Sequence, residues 1–159
     1  MVLHSATHLF QEGEFHHGLR DLLDLRDLLV GFSRAAGFWP VLFDRAEALR
    51  LQVPLHHALV HLQRLFGFAP PADMQARVRS LAPAWLPRQA LAWLLGRALL
   101  PPHPSCDAPL VDLARWMLYV RSHLLRMPPH LALPHLARKA WMRSFPDEGK
   151  RAGPPPKDP

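Results

Sequence analysis

The sequence predicts an all-α fold, an irregular bundle of about seven to eight helices followed by a disordered, proline-rich C-terminal tail. Apolar residues recur at intervals of three and four, which is the period of an amphipathic helix. Most of the 18 prolines fall between these apolar stretches, where a helix would begin. Valine, isoleucine and threonine are scarce and no alternating run of them appears, so strands are not expected.

The prolines set the predicted order of elements. Pro40, Pro54, Pro71, Pro87 and Pro109 each precede or open a segment with helical periodicity, since the N–H that proline lacks would be unpaired in a first helical turn. The predicted helices span 2–11, 18–33, 40–51, 54–66, 71–81, 87–100, 109–126 and 130–143.

Apolar stripes support these spans. The first helix carries Val2, Leu3, Ala6, Leu9 and Phe10 on one side. The fourth and seventh helices repeat the pattern, with Leu55, Leu59, Leu62, Leu65 and Phe66 in one and Leu110, Leu113, Met117, Val120 and Leu124 in the other.

A chain of 159 residues is long enough for one domain with a core, and we expect that domain to cover residues 1–145. The remaining stretch, 146–159, reads PDEGKRAGPPPKDP. It has no large apolar residue to anchor it, so a disordered tail is predicted.

Charge is distributed unevenly. Residues 1–73 hold 6 Lys/Arg against 8 Asp/Glu, a net charge of −2, and residues 74–159 hold 13 against 5, a net charge of +8. A basic half can attract nucleic acid, nucleotide phosphates or an acidic protein surface. Dispersed arginines on solvated helix faces explain the same charge without any partner.

Several classes of protein are disfavoured. The single cysteine, Cys106, excludes an internal disulfide and fits a reducing compartment, and no signal peptide is visible, so a cytoplasmic location is predicted. The most apolar window contains Arg88 and Arg97, which makes a membrane span improbable. There is no glycine-rich phosphate loop and no GxSxG elbow, and no motif in the chain is sufficient for catalysis.

His4 and His8 share a helix face at a spacing of four, which can place two imidazoles on one metal ion. A zinc site would need a further ligand, such as Asp21 or Asp24, and a metal-dependent hydrolase built on His4, His8 and Asp21 is one hypothesis. The HxxxH spacing alone is weak evidence for a metal, so we interpret the two histidines as helix-packing or hydrogen-bonding residues and assign no metal ligand and no catalytic residue.

The segment RDLLDLRDLL raises a similar choice. Arg20 and Asp24 are four apart, so an ion pair within the helix is available. Leucines on two sides place the aspartates near an interface, where they form either a charged seam between helices or a functional carboxylate group. In the fourth helix, His56, His57 and His61 are interpreted as surface or packing residues.

The stretch VLHSATHLFQEGEFHHGLRDLLDLRDLL resembles the C-terminal helical half of the uncharacterised bacterial nucleotidyltransferase family, whose members carry a polymerase-β-like catalytic fold. That family has a helix with hydrophobic-x-His-x-x-x-His, then a helix reading R-D-L-x-D-L, a stretch like GFWPVLFDRAEALRLQVPLHHAL and an LFGFAPP break. The resemblance covers Val2 to about Pro71.

The resemblance implies that the nucleotide and Mg²⁺ are held by a Gly-Ser turn and paired aspartates in an N-terminal half that this chain does not contain. Mg²⁺ and an NTP are therefore expected for a full-length relative and no cofactor for this chain, which should be inactive alone. A catalytic half or a separate catalytic chain would be its partner. The matching residues expected to face a pocket or interface are His4, His8, Arg20, Asp21 and Asp24.

Two functions follow as expectations. The first is the helical portion of a nucleotidyltransferase, which transfers a nucleotidyl group from an NTP. The alternative is a non-enzymatic helical module that binds an acidic protein or nucleic acid through its basic second half. The nucleotidyltransferase expectation also predicts an exposed apolar patch on one side of the first two helices.

Overall fold

The computed structural model describes residues 1–12, 15, 17–83, 85–101, 103–106 and 108–144, and across these ranges it contains helices and no strands. The predicted all-α fold is confirmed. The predicted tail, 146–159, lies outside the described residues. Within the described ranges the eight α-helices are α1 (Val2–Gln11), α2 (Gly18–Phe32), α3 (Phe38–Ala48), α4 (Gln52–Phe66), α5 (Gln75–Ser80), α6 (Trp85–Ala98), α7 (Val111–Arg126) and α8 (Pro129–Ser144).

The observed helices differ from the predicted spans mainly at their ends. The predicted 71–81 helix starts as a 3₁₀ turn, Ala72–Met74, before α5 begins. A second 3₁₀ turn, Pro104–Cys106, lies between α6 and α7. α3 starts two residues before Pro40 because Gly37 adopts a left-handed conformation (φ 77°) that turns the chain into the helix.

The chain forms two compact units, Met1–Ser122 and a second unit that starts at His123. The predicted helical domain, 1–145, extends across both, and its boundaries stay a prediction. None of the described helices is long and apolar enough to cross a membrane.

The core of the first unit is built around α4, which contacts α1, α2, α3 and α5. Leu55, Leu59 and Leu62 of α4 are almost completely removed from solvent. Burying a leucine side chain stabilises the fold by about 1.5–3 kcal/mol, so these three leucines alone contribute substantially to the free energy of folding. Leu22, Leu25 and Leu29 of α2 and Leu9 and Phe10 of α1 belong to the same core.

Two helices end in the same kind of turn with different residues. After α4, Gly67 takes a left-handed conformation (φ 65°), and the Phe68 N–H donates to the Leu62 carbonyl. After α3, Arg50 takes the equivalent conformation (φ 56°), and the Leu51 N–H donates to the Ala46 carbonyl. The first bond joins residues six apart and the second joins residues five apart, and each satisfies a carbonyl that a helix end leaves unpaired. Leu49 and Leu51, on either side of Arg50, line a cavity together with residues of α1.

Candidate functional site

The histidine pair of α1 lies on the protein surface. The rings of His4 and His8 are nearly parallel, with centroids 6.4 Å apart and an interplanar angle of 4°. His8 Nδ1 pairs with the carboxylate of Glu12 one turn later. Across the described residues, no group of three or more His, Cys, Asp or Glu side chains could hold a metal ion. His4, His8 and Asp21 therefore do not form the metal site that their types allow.

The carboxylates of α2 follow the expected helix faces. Asp24 and Asp27 are exposed and Asp21 is half-buried, while the leucine row behind them is fully buried. Among the described ion pairs, the one in α2 joins Arg26 to Asp27 at 3.6 Å, and the predicted pair of Arg20 with Asp24 does not form.

The five predicted site residues do not converge on one point. His4 lines a cavity beside α1 and α3. Arg20 lines a different cavity, of about 370 Å³, together with Phe15 and residues that follow α6. His8 is engaged by Glu12. That these residues face a partner stays a prediction.

The cavity beside His4, which we call the α1–α3 cavity, has a volume of about 540 Å³. Its walls come from the start of α1, the end of α2, the length of α3 and the turn after α3. Its lining residues are Met1, Val2, Leu3, His4, Thr7, Phe32, Phe38, Val41, Leu42, Arg45, Leu49 and Leu51. Phe32 and Val41 remain exposed to solvent. This exposed apolar surface lies at one end of α1 and α2 and on α3, so the predicted apolar patch along one side of the first two helices stays a prediction.

The histidines of α4 have a different environment. His56, His57 and His61 are all buried, with exposed fractions of 7%, 2% and 1%. His56 Nδ1 donates to the Val78 carbonyl at 3.2 Å, and His61 Nδ1 donates to the His57 carbonyl at 2.8 Å. A carbonyl oxygen can only accept, so Nδ1 carries the proton in both rings. The packing interpretation of these residues is correct and the surface interpretation is wrong.

Phe10 of α1 packs against this buried group, which we call the α4 histidine cluster. Its ring centroid lies 6.2 Å from that of His57 and 5.6 Å from that of His61. His57 Nε2 is buried and has no hydrogen-bond partner among the described residues. Protonation of this atom would create a buried N–H without an acceptor, which is energetically unfavourable.

Burial, reinforced by the neighbouring His56, His61 and Arg121, lowers the pKa of His57 to about 3. Burial also lowers the pKa of His61, although backbone hydrogen bonds to His57 and Ala92 act in the opposite direction. Both rings are therefore neutral at physiological pH. Because they are neutral and buried, they are suited to packing and not to acid–base chemistry near pH 7.

Sequence reasoning missed the burial of the α4 histidine cluster, although a signal was present. The segment from Gln52 to Gln63 contains no charged residue. A helix with no charged face is covered on all sides, so histidines within it are expected to be interior.

Several arginines of the basic second half are used inside the first unit. Arg77 bridges Asp44 at 2.8 Å and Glu47 at 3.1 Å, and these contacts raise its pKa. Arg115 donates to the carbonyls of Ala98 and Leu100 at the end of α6. These two cations have partners within the protein, so they are not simply part of a solvated basic face.

Two further arginines follow the same pattern. Arg97 lies over the Trp93 ring, 4.0 Å from its centroid, and donates to the Pro109 carbonyl. Arg121 donates to the Phe10 carbonyl at 3.2 Å, which completes the C-terminal end of α1. Part of the basic charge therefore serves helix ends and packing.

Comparison with known families gives a match to the first part of the chain. Residues 1–67 match the model of a family described as uncharacterised nucleotidyltransferase. The matched segment ends at Gly67, the left-handed residue that terminates α4, and it contains the α1–α3 cavity and the α4 histidine cluster. No curated protein and no solved structure matches the chain.

The predicted resemblance to a nucleotidyltransferase family is confirmed over residues 1–67. That this segment corresponds to a C-terminal half, and that the family's catalytic half is missing here, stay predictions.

Proposed function

We propose that this chain is the helical portion of a nucleotidyltransferase, an enzyme that transfers a nucleotidyl group from an NTP to an acceptor. The observation that best supports this proposal is the family match over residues 1–67. This segment covers α1 to α4, which pack against one another. In this proposal the nucleotide is bound by a catalytic part that belongs to another region of the polypeptide or to another chain, and the isolated chain is inactive.

In this proposal the Mg²⁺–nucleotide site lies in the catalytic part. Such sites hold the metal with one or two carboxylates and the substrate phosphates, in near-octahedral geometry. Asp44 and Glu47 are engaged by Arg77. Asp21 and Asp24 lie one turn apart on α2, and no group of metal-ligating side chains assembles around them within the described residues. We therefore derive no catalytic step from this chain.

The outer face of α1 and α2 is the proposed contact surface for the catalytic part. His8, Arg20 and Asp24 are exposed there and lie within the matched segment. Polar and charged groups at such a surface set the register of a complex more than its affinity. We further propose that this assembly is cytoplasmic, as the single cysteine predicts.

The test is a nucleotidyl-transfer assay on two preparations, with each NTP labelled at its α-phosphate and Mg²⁺ present. One preparation is the chain purified after recombinant expression, and the other is the tagged protein purified at low ionic strength from its native cells. We expect transfer of label by the native preparation and none by the recombinant chain.

Two results would contradict the proposal. Transfer by the recombinant chain alone would mean that it carries its own catalytic groups. A native preparation that contains this chain alone, at 18.1 kDa, and that transfers no label from any NTP would remove the nucleotidyltransferase assignment.

A module that binds nucleic acid through the basic second half remains the alternative. Loss of RNA or DNA binding with rising salt would be its signature, because neutralising phosphates releases counterions. The internal roles of Arg77, Arg97, Arg115 and Arg121 reduce the charge available for such contacts. The first proposal is therefore the better supported one.

A further inference from the structure

The α1–α3 cavity is lined mainly by apolar side chains that water reaches. Along α3, the positions Phe38, Val41, Leu42 and Arg45 follow one another at the spacing of a single helix face, and this face lines the cavity. Val41 is 61% exposed and Leu49, after the helix, is 54% exposed. Removing such surface from water yields about 25 cal/mol per Å², so an occupant with an apolar body would be favoured.

One end of the cavity is closed by aromatic rings. Phe32 at the end of α2 stacks on Phe38 at the start of α3, with centroids 6.2 Å apart and an interplanar angle of 20°. Phe38 in turn meets the buried Trp39 edge-on at 5.3 Å. This end is therefore braced by the core and is already formed before any occupant enters.

Few polar side chains line the cavity. Thr7 donates its hydroxyl proton to the Leu3 carbonyl at 2.7 Å, which commits its donor. His4 and Arg45 remain, and no carboxylate is among the lining residues.

Arg45 contrasts with its neighbour Arg77. Arg77 satisfies Asp44 and Glu47, the two carboxylates of α3, on the other side of the helix. No hydrogen bond or ion pair found across the described residues involves the Arg45 side chain. The cavity thus combines apolar walls with an arginine side chain that has no anionic partner among the lining residues.

We propose that the α1–α3 cavity binds a small amphiphilic carboxylate, with its apolar body against Val41, Leu49 and the Phe32–Phe38 pair and its carboxylate on Arg45. A volume of about 540 Å³ lies within the range of small-molecule sites, roughly 300–1,000 Å³, which are mostly apolar with a few placed polar groups. Arginine is the side chain best matched to a carboxylate because its fork can donate two parallel hydrogen bonds.

A small molecule fits better than a protein segment. Twelve residues line the cavity, whereas a standard protein–protein interface uses about 20–30 residues on each side. The inference does not depend on the proposed nucleotidyltransferase function, and its test contains no nucleotide, so either can fail without the other.

The experiment is a calorimetric titration of the full chain with decanoate, below its micelle concentration, and with decanol as the uncharged ligand of the same length. We expect one decanoate per chain and weaker binding of decanol. Arg45→Gln should weaken decanoate binding about 5- to 20-fold, as expected for loss of one charge-assisted contact, and leave decanol unchanged. Arg79→Gln, which alters an exposed arginine of α5, is the matched control and should have no effect.

Val41→Gln tests the apolar wall at a position exposed enough for the protein to stay folded, which circular dichroism would verify. It should weaken decanoate and decanol alike. The proposal is overturned if decanoate does not bind, as it would not if the cavity receives a segment of another protein. It is equally overturned if several decanoates bind, or if Arg45→Gln and Arg79→Gln bind decanoate equally.

Discussion

His4 and His8 on α1 and His57 and His61 on α4 share the same spacing of four residues, yet they have opposite environments. The α1 pair is exposed, and His8 pairs with Glu12 in its own helix. The α4 pair is buried against Phe10, and His61 donates to a backbone carbonyl. Spacing places two rings on one face of a helix, but the elements packed against that face decide their chemistry.

The largest effect expected from this difference is a loss of stability in mild acid. Histidine in an unfolded chain has a pKa near 6.5, whereas His57 in the folded protein has a pKa of about 3. The unfolded state therefore binds more protons between these values. The free energy of unfolding should be fully retained above pH 6.5 and fall by about 1.4 kcal/mol per pH unit for this residue as the pH decreases towards 3.

Urea unfolding between pH 7 and pH 5 measures this slope. The lowered pKa of His61 contributes in the same direction. The free energy of unfolding should therefore change with pH more steeply than the uptake of a single proton would produce. His57→Leu should reduce the slope by about one proton. If this variant kept the wild-type slope, His57 would not be the neutral, buried residue described above.

Truncating one histidine of the α1 pair and one of the α4 pair to alanine tests the difference between their environments at neutral pH. His61→Ala removes the 2.8 Å hydrogen bond to the His57 carbonyl and the contact with the Phe10 ring. We expect a loss of about 2–4 kcal/mol in the free energy of unfolding, since both a buried hydrogen bond and core volume disappear. His4→Ala is the matched control. An equal loss of unfolding free energy in both variants would contradict the difference between an exposed α1 pair and a buried α4 pair.

Arg121→Met tests the cation beside the α4 histidine cluster. It removes the donor to the Phe10 carbonyl and should lower stability by about 1–3 kcal/mol, because a carbonyl at the end of α1 loses its partner. It should also raise the pKa of His57, since Arg121 contributes to lowering it. NMR titration of the His57 ring checks the second effect. With Arg79→Met as control, an unchanged His57 pKa in Arg121→Met would show that the two charges do not interact.

The smallest effect is expected at the surface pair. His8→Ala should change the free energy of unfolding by less than about 0.5 kcal/mol, because exposed ion pairs within a helix are weak and screened by solvent. Denaturant unfolding at low and high salt measures this difference. A loss comparable to that of His61→Ala would indicate that His8 is held by contacts absent from the structure.

Much of the fold could be predicted from the positions of the prolines and from the recurrence of apolar residues at intervals of three and four. All the helices except α5 begin within two residues of their predicted starts, because a proline or an apolar stripe marks each one. α5 begins four residues after its predicted start, since the chain first forms the 3₁₀ turn Ala72–Met74. Turn geometry of this kind is determined by the packing of the whole chain and not by the local pattern.

The candidate site was predicted less well than the fold. His4 was among the residues predicted to face a pocket or interface, which stays a prediction, and Arg45 was not considered because it sits in an ordinary amphipathic pattern. Its isolation from Asp44 and Glu47 arises only because Arg77, 32 residues later, occupies those carboxylates. Pairings between distant residues cannot be inferred from the spacing within one helix.

The hydrogen bond from Arg121 to the Phe10 carbonyl joins residues 111 positions apart. Contacts across such long loops form late, because the entropy of closing the loop must be overcome first. During synthesis, α1 to α4 can pack as soon as they emerge, but the end of α1 waits for α7. The first helix should therefore fray until the chain is nearly complete, and in native-state hydrogen exchange its last turn should open more readily than the leucine row of α4.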